Sequence, residues 1–171
     1  MSKKIVFGLL SGLILLFVSC EKDEIKDVSL TYNINMPVDI NYSRTYQALD
    51  SVAITDAFNL PYADYFMVNL GVNDTSLVHY YALNADGTLN EAKPTATGFG
   101  HWFTADGKTT TWGSQAVLFS EMTDHFAFEI GQFPGATEVG DTYTIKQGFM
   151  YQNALASITF NITIVANENQ E

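Results

Sequence analysis

Hydrophobic and polar side chains alternate at both ends of the region that follows residue 27. Between Val28 and Val38 every second residue is apolar and the residues between are polar, until Pro37 interrupts the pattern. The same period of two runs through residues 156–165. Successive side chains of a strand point to opposite faces of a sheet, so this period predicts half-buried β-strands. Pro37 marks the end or an edge position of the first strand, because proline donates no ladder hydrogen bond.

The chain between these two strands predicts more short strands, separated by turns. Turn signals at 84–87, 105–107 and 134–135 are among those that separate the strands, and the turns of the whole region recur every ten residues or so. Residues 51–60 have apolar positions near helical spacing, with Asp50 or Ser51 as the cap and Pro61 as the stop, and predict a short helix. The fold class is therefore mainly β, an antiparallel β-sandwich of about eight or nine strands with one short helix. The predicted strands are 28–38, 77–83, 99–104, 108–112, 116–122, 125–130, 143–151 and 156–165, with a loop or short edge strand at 39–47.

Residues 1–19 have the pattern of a leader. Two lysines precede an apolar run that ends at Val18, which is typical of a secretory signal peptide and too short for a membrane span. The next small residue, Ser19, is followed by Cys20, the only cysteine of the chain. This junction resembles the lipobox of bacterial lipoproteins, in which the thiol is acylated; the alternative is an ordinary cleavage site beside a stray thiol. Acyl chains such as palmitate at Cys20 would anchor the protein without a transmembrane helix.

The remaining domain boundaries follow from this leader. We expect the lipidated cysteine and an acidic tether at 20–27, a single β-sandwich domain at 28–166 and a polar tail at 167–171. Residues 21–24, Glu-Lys-Asp-Glu, resemble the surface-export signal of lipoproteins from the Bacteroidota, and a plain solvated tether has the same composition. The predicted location is the outer membrane, lipid-anchored and exposed at the cell surface. No disulfide is available within the mature chain, so its core must stabilise it unaided.

The chain is strongly acidic. Eight lysine and arginine residues stand against nineteen acidic ones, a net charge of −11. Without the two lysines of the leader, six basic residues remain and the charge is about −13. Nucleic acids and other polyanions require clusters of basic residues, whereas those here are scattered, with Arg44 the only arginine. The composition therefore excludes a nucleic-acid partner.

Several short motifs occur in a set order along the second half of the chain. They are Asn84-Ala85-Asp86-Gly87, Gly100-His101-Trp102-Phe103, Asp106-Gly107, Trp112-Gly113, Ile130-Gly131-Gln132-Phe133-Pro134-Gly135 and Gly140-Asp141-Thr142-Tyr143-Thr144-Ile145-Lys146-Gln147. Their order resembles the family called domain of unknown function 4859, which occurs in lipoproteins and secreted proteins of the Bacteroidota. The resemblance covers roughly residues 50–165 and implies a secreted or surface location, but no activity and no functional residues.

The carboxylates near these motifs supply the residue type that glycosidases use in pairs. Nothing in the sequence pairs two of them across a cleft, and Asp106 and Asp141 have the setting of turn residues. A plain structural role is therefore the expectation for the whole set, which comprises Asp106, Glu121, Asp124, Glu129 and Asp141.

Nucleophilic and metal chemistry have weaker support still. The sequence contains no Gly-x-Ser-x-Gly elbow, and its three histidines, His79, His101 and His125, have no neighbour at metal-ligand spacing. Residues 84–91 contain oxygens but lack the alternating acids of a calcium loop, so a hairpin explains them better. We therefore expect no enzyme activity, no catalytic residue, no metal and no other cofactor.

Aromatic residues near the predicted turns indicate carbohydrate binding instead. Sugars present flat apolar faces that stack on aromatic rings, while their hydroxyl groups need polar side chains nearby. The two tryptophans lie on adjoining strands of the predicted hairpin, with Trp102 near Thr109 or Thr110 and Trp112 further along. The candidate ligand-binding residues are Tyr80, His101, Trp102, Trp112, Gln132 and Phe133.

The alternative for both tryptophans is the interior of the sandwich, which is the commoner place for large aromatic side chains. Trp102 has the opposite parity to His101 and Phe103, so either Trp102 or Phe103 faces the core. Parity alone leaves both placements open.

We therefore predict a non-enzymatic binding module on the cell surface, with a glycan as the preferred ligand and the membrane as partner through the lipid at Cys20. The alternative is a structural or interaction subunit of a fimbria-like assembly, which exchanges strand 28–38 or 156–165 with another surface protein. An exposed tryptophan with a polar rim would favour glycan binding, and an open edge at 28–38 would favour assembly. A cleft with two carboxylates about 5 to 9 Å apart would favour a glycosidase.

Overall fold

The computed structural model describes residues 24–38, 44–61, 77–90, 100–113, 115–124 and 126–167. The predicted leader, Cys20 and the start of the tether lie outside the described residues, as do positions 168–171 of the tail. Among the described residues no helix has the length and apolar character needed to cross a membrane. The elements in chain order are β1 (Val28–Pro37), β2 (Arg44–Ala48), α1 (Ser51–Ala57), β3 (Val78–Ala82), β4 (Gly100–Phe103), β5 (Thr109–Thr110), β6 (Leu118–Asp124), β7 (Ala127–Gln132), β8 (Thr142–Tyr151) and β9 (Ala154–Val165).

The strands form two sheets that pack face to face. One has four strands in the order β1-β9-β8-β3, and the other has five in the order β2-β7-β6-β4-β5. The mainly β class and the single short helix of the described chain confirm the prediction from sequence. The 39–47 segment contributes β2 at the edge of the five-stranded sheet, and residues 39–43 lie outside the described ranges.

One strand pair differs from the predicted antiparallel arrangement. β1 and β9 run parallel without interruption, from Val28 opposite Ala156 to Pro37 opposite Val165. The other ladders between described strands are antiparallel. The period of two could not reveal this, because side chains alternate in the same way in parallel and antiparallel ladders.

The core lies between the two sheets and is filled by alternate residues of their strands. Phe128 and Phe160 are fully buried and their ring centroids lie 5.4 Å apart, which joins β7 to β9 across the interior. Phe126 and Ile162 are also buried, as the alternation predicts. Each large side chain buried in this way contributes roughly 1.5–3 kcal/mol to folding.

Helix α1 begins where the sequence places its cap. The carboxylate of Asp50 accepts the backbone N–H of Ala53 at 3.0 Å, which satisfies one of the free donors of the first turn. The helix buries Ile54 and Ala57 and ends at Ala57. Positions 58–60, which the sequence assigned to the helix, lie after its end because Phe58 caps it and Asn59 adopts a left-handed conformation.

The two outer faces of the sandwich differ in chemistry. The four-stranded sheet presents short polar side chains, and Asn161 donates to Asn33 and accepts from Thr144 at 3.1 Å each. The five-stranded sheet presents aromatic and charged side chains. The candidate site is on this second face.

Candidate functional site

The site is built on one row of residues that crosses the five-stranded sheet. The register places Thr110 opposite Trp102, Trp102 opposite Phe119, Phe119 opposite Gly131, and Gly131 opposite Arg44. Residues that face each other across a ladder share one face of the sheet. The neighbouring Phe103 is fully buried, so this row lies on the outer face.

Four aromatic side chains gather at this row. We call Trp102, Trp112, Phe119 and Phe133 the aromatic cluster. The Trp102 ring lies 4.8 Å from Phe119, 5.0 Å from Trp112 and 5.9 Å from Phe133, measured between ring centroids. Trp112 also contacts Phe133 at 5.1 Å, yet 56% of it remains exposed. Trp102 is thus held by three rings, whereas Trp112 presents a supported ring to solvent.

Glycine makes room for the aromatic cluster. A Cβ atom on Gly100 would lie 2.5 Å from Cε2 of Phe119 and 2.7 Å from the carbonyl oxygen of Ser120. The Phe119 ring therefore lies across the backbone of β4 at a place where no other residue fits without movement. On the other side of Phe119, Gly131 brings no side chain to the row. Gly100 thus accommodates the Phe119 ring, and Gly131 leaves a depression beside the cluster.

Arg44 closes the other side of this depression. Its Nη1 atom donates to Glu121 at 3.1 Å and to Glu129 at 2.9 Å, and its guanidinium carbon lies 5.2 Å from the centroid of Phe119. The hydrogen bond to Glu129 is the main cause that raises the pKa of Arg44 above its ordinary value. Exposed ion pairs contribute little stability. Their effect here is to hold the guanidinium in one place beside the rings.

The result is a recess of about 160 Å³. Flat aromatic surface lies on one side and a fixed cation with two carboxylates on the other, an arrangement that can hold a ligand with an apolar face and several hydroxyl groups. The recess is lined by Arg44, Trp102, Trp112, Phe119, Gly131 and Gln132.

The structure brings together three of the six predicted ligand-binding residues, Trp102, Trp112 and Phe133. The alternative of an interior position is wrong for Trp112, which is exposed, and Trp102 lies on the outer face. Gln132 lines the recess, but its amide donates to the carbonyl of Pro37 at 2.7 Å and accepts from Thr137. Its polar group is therefore already engaged.

The structure does not bring the other two, Tyr80 and His101, to the recess. Tyr80 is fully buried, donates to Gln147 and lies 3.2 Å from Nδ1 of His101; burial raises the pKa of its phenol far above the ordinary value. Gln147 in turn donates to Ser120 on the opposite sheet. These side chains form a polar chain through the interior. They join the two sheets rather than meet a ligand.

Two residues that line the recess were not among the binding residues predicted from the sequence. Alternation along β6 could have placed Phe119 on the outer face, because its two neighbours Leu118 and Ser120 are buried. Arg44 was visible only as the single arginine. Its carboxylate partners are 77 and 85 residues away along the chain, so no local pattern connects them.

Two of the carboxylates considered from sequence do come together. Glu121 and Glu129 are opposite each other on β6 and β7, and both lie within 3.1 Å of one nitrogen of Arg44. A glycosidase needs one of its two carboxyl groups to carry a proton, whereas both of these accept from the same guanidinium.

The two turn aspartates have the role that the sequence predicts. The carboxylate of Asp106 accepts from Lys108 and Thr104, and that of Asp141 accepts the N–H of Glu138 and the hydroxyl of Tyr143. These bonds lower the pKa of both aspartates. His125 and the side chain of Asp124 lie outside the described residues. In the part of the chain that the structure describes, no three His, Cys, Asp or Glu residues are grouped to hold a metal ion.

The sequence profile described as Domain of unknown function (DUF4859) matches residues 41–157. The chain belongs to this family. The matched range of DUF4859 includes all four rings of the aromatic cluster and Arg44, while β1 and most of β9 lie outside it. No curated protein and no solved structure matches the chain.

Proposed function

We propose that this DUF4859 protein is a non-enzymatic binding module, held at the cell surface by lipid on Cys20, and that a glycan binds at its aromatic recess. The observation that carries the proposal is the exposed ring of Trp112, supported from behind by Trp102 and Phe133. A large aromatic side chain that is both exposed and fixed supplies contact area at little entropic cost when a ligand binds. The flat apolar face of a sugar fits such a ring.

Polar groups at the recess support the same ligand class. Arg44 lines it, and the carboxylates of Glu121 and Glu129 are fixed beside Arg44. A sugar placed against Trp112 would therefore find donors and acceptors for its hydroxyl groups within the same depression. The shared guanidinium also supports a binding role over hydrolysis, since it engages both carboxylates at once.

The location rests on the sequence. An apolar run ending in Ser19-Cys20, followed by an acidic stretch, supports a lipid anchor in the outer membrane with the domain facing outward. A strongly acidic domain at this location suits contact with neutral polymers outside the cell.

The binding proposal is tested with residues 21–171, which lack the lipid-bearing cysteine, on a glycan array followed by calorimetry. We expect binding, and we expect Trp112→Ala to weaken it by about 2 kcal/mol, or roughly thirtyfold in Kd, as for other central aromatic contacts. The matched control is Tyr46→Ala, because Tyr46 is 60% exposed on the same sheet face and does not line the recess. Absence of any glycan binding, or equal effects of the two variants, would reject the proposal.

The anchor is tested separately in cells. Wild type and Cys20→Ala are labelled with a palmitate analogue and fractionated, and protease added to intact cells reports surface exposure. We expect the label and the membrane association to disappear in the variant. A variant that keeps both would show that Cys20 is not the anchor.

A second candidate, a subunit of a surface assembly, is favoured by the edge of β1. This strand pairs with β9 on one side, pairs with no other described strand, and has no charged residue in its ten positions. Long uncharged edges invite pairing with another chain. Thr31 is exposed on this strand, so Thr31→Lys should abolish any oligomer seen by light scattering. A wild-type protein that stays monomeric at high concentration would remove this candidate.

A further inference from the structure

We propose that the recess selects an uncharged sugar and holds a single ring of it, and that Glu121 and Glu129 impose this choice by neutralising Arg44. The inference rests on the proposed glycan binding and adds the chemical class of the ligand. It depends on the size of the recess, the angle between its two tryptophans and the charges fixed around Arg44.

The size and shape of the recess indicate one ring. Its volume is about 160 Å³, whereas pockets for drug-sized ligands occupy about 300–1,000 Å³. The planes of Trp102 and Trp112 lie at 80° to each other, so a flat ring can lie parallel to only one of them. Trp112 is the exposed one, and Trp102 is packed against three other rings. The sugar therefore stacks on Trp112, and Trp102 is its support.

The charges at the recess disfavour an acidic sugar. One guanidinium faces two carboxylates, Glu121 and Glu129, which leaves the group with a net charge of −1. The chain as a whole also has a net charge of −11. A uronic acid or sialic acid would bring another carboxylate to a site whose single cation already has two partners. Like charges brought together in this way lower affinity.

Arg44 still has donors for a neutral ligand. Both of its ion pairs use Nη1, and a guanidinium carries five N–H groups on three nitrogens. The two glutamates thus fix the orientation of Arg44, and in the part of the chain that the structure describes its N–H groups on Nε and Nη2 stay available for sugar hydroxyls. In this scheme Arg44 is a ligand-binding residue, and Glu121 and Glu129 are specificity-determining residues that act through it.

The experiment compares matched ligands and matched variants of residues 21–171 by calorimetry. The ligands are the neutral sugar found on the array, its uronic acid counterpart and oligomers of increasing length. The test variant is Glu121→Gln combined with Glu129→Gln, which leaves Arg44 without a charged partner. The control variant is Glu24→Gln combined with Asp56→Asn, which removes two exposed charges at positions that do not line the recess.

For wild type we expect the neutral sugar to bind at least about tenfold more tightly than the uronic acid, or about 1.4 kcal/mol. In the Glu121 and Glu129 variant this preference should disappear or reverse, while the control variant should keep it. Oligomers should bind within about tenfold of the single sugar, or 1.4 kcal/mol. Equal or tighter wild-type binding of the uronic acid, or an unchanged preference in the test variant, would overturn the inference.

The outcomes separate this inference from the function on which it rests. If no glycan binds, or if Trp112→Ala leaves binding intact, the proposed function fails and this inference fails with it. If binding depends on Trp112 but acidic sugars bind equally well, only the present inference fails. If affinity rises steeply with oligomer length, the claim of a single ring fails, and the preference for the neutral sugar over the uronic acid is still measured by the same experiment.

Discussion

Two hairpin turns of this protein are nearly identical in sequence and backbone but differ in what lies beside them. In the first, the N–H of Asn84 bonds to the carbonyl of Thr88; in the second, that of Thr104 bonds to Lys108, both at 2.8 Å. Each turn contains Ala-Asp-Gly, and the glycines adopt φ of +89° at Gly87 and +77° at Gly107. Comparing the two turns therefore tests whether the contact of the second turn with its neighbouring strand contributes to stability.

The surroundings of the two glycines predict unequal effects of the same substitution. A Cβ on Gly87 would meet no atom within 4 Å, whereas one on Gly107 would overlap the carbonyl oxygen of Thr144 on β8. A left-handed backbone costs a residue with a Cβ about 1–2 kcal/mol, and alanine recovers about 0.4–1 kcal/mol by restricting the unfolded chain. Gly87→Ala should therefore lose about 0–1.6 kcal/mol. Gly107→Ala should lose a further 1–3 kcal/mol, the usual cost of overpacking.

The assay is equilibrium urea unfolding of residues 21–171, followed by tryptophan fluorescence. We expect a larger drop in unfolding free energy for Gly107→Ala, and a larger fall in Tm of about 2–4 °C for each additional kcal/mol. The second turn connects β4 to β5, and Trp102 lies on β4, so this variant should also bind glycan less tightly. Equal losses in the two variants would refute the argument that contact with β8 holds this turn.

Three further substitutions test other parts of the structure. Gly100→Ala should cost about 1–3 kcal/mol by displacing Phe119, and should cost less when Phe119→Ala is also present; additive losses in urea unfolding would exclude the clash as the cause. Tyr80→Phe should cost about 1–3 kcal/mol, because Gln147 loses its buried donor; an unchanged Tm would contradict the interior polar chain. The N–H of Glu138 and the hydroxyl of Tyr143 hold the pKa of Asp141 below its ordinary 3.8, so its contribution to stability is present at neutral pH and is lost as the pH falls below about 4. Asp141→Asn should therefore show a smaller loss of stability between pH 7 and pH 3 than wild type, and parallel pH profiles would disprove that role.

The faces of the strands could be predicted from the sequence, but not which face points inward in every case. Phe160 lies between two polar residues, and Phe128 is one of a row of large apolar residues at every second position of its strand, so their burial follows directly from the pattern. Trp102 and Phe103 are adjacent and both aromatic, so alternation separates them without choosing between them. The opposing sheet makes the choice, because Phe103 enters the core and Trp102 then meets Phe119 outside.

The polar side of the recess could not be predicted at all. Arg44, Glu121 and Glu129 meet because β2, β6 and β7 are neighbours in one sheet, and strand order is a property of the whole fold. The direction of β1 beside β9 is hidden for the same reason. Local patterns therefore predict the strands and the aromatic residues of the site, whereas the pairing of distant strands determines which charged residues meet there.

The parallel pairing of β1 and β9 has a mechanical consequence. Val28 and Ala156 lie at one end of the ladder, and Pro37 and Val165 lie at the other. Opposite pulls on the chain before β1 and on the chain after β9 would therefore act along both strands in opposite directions. All the ladder hydrogen bonds would then share the load at once instead of opening one by one.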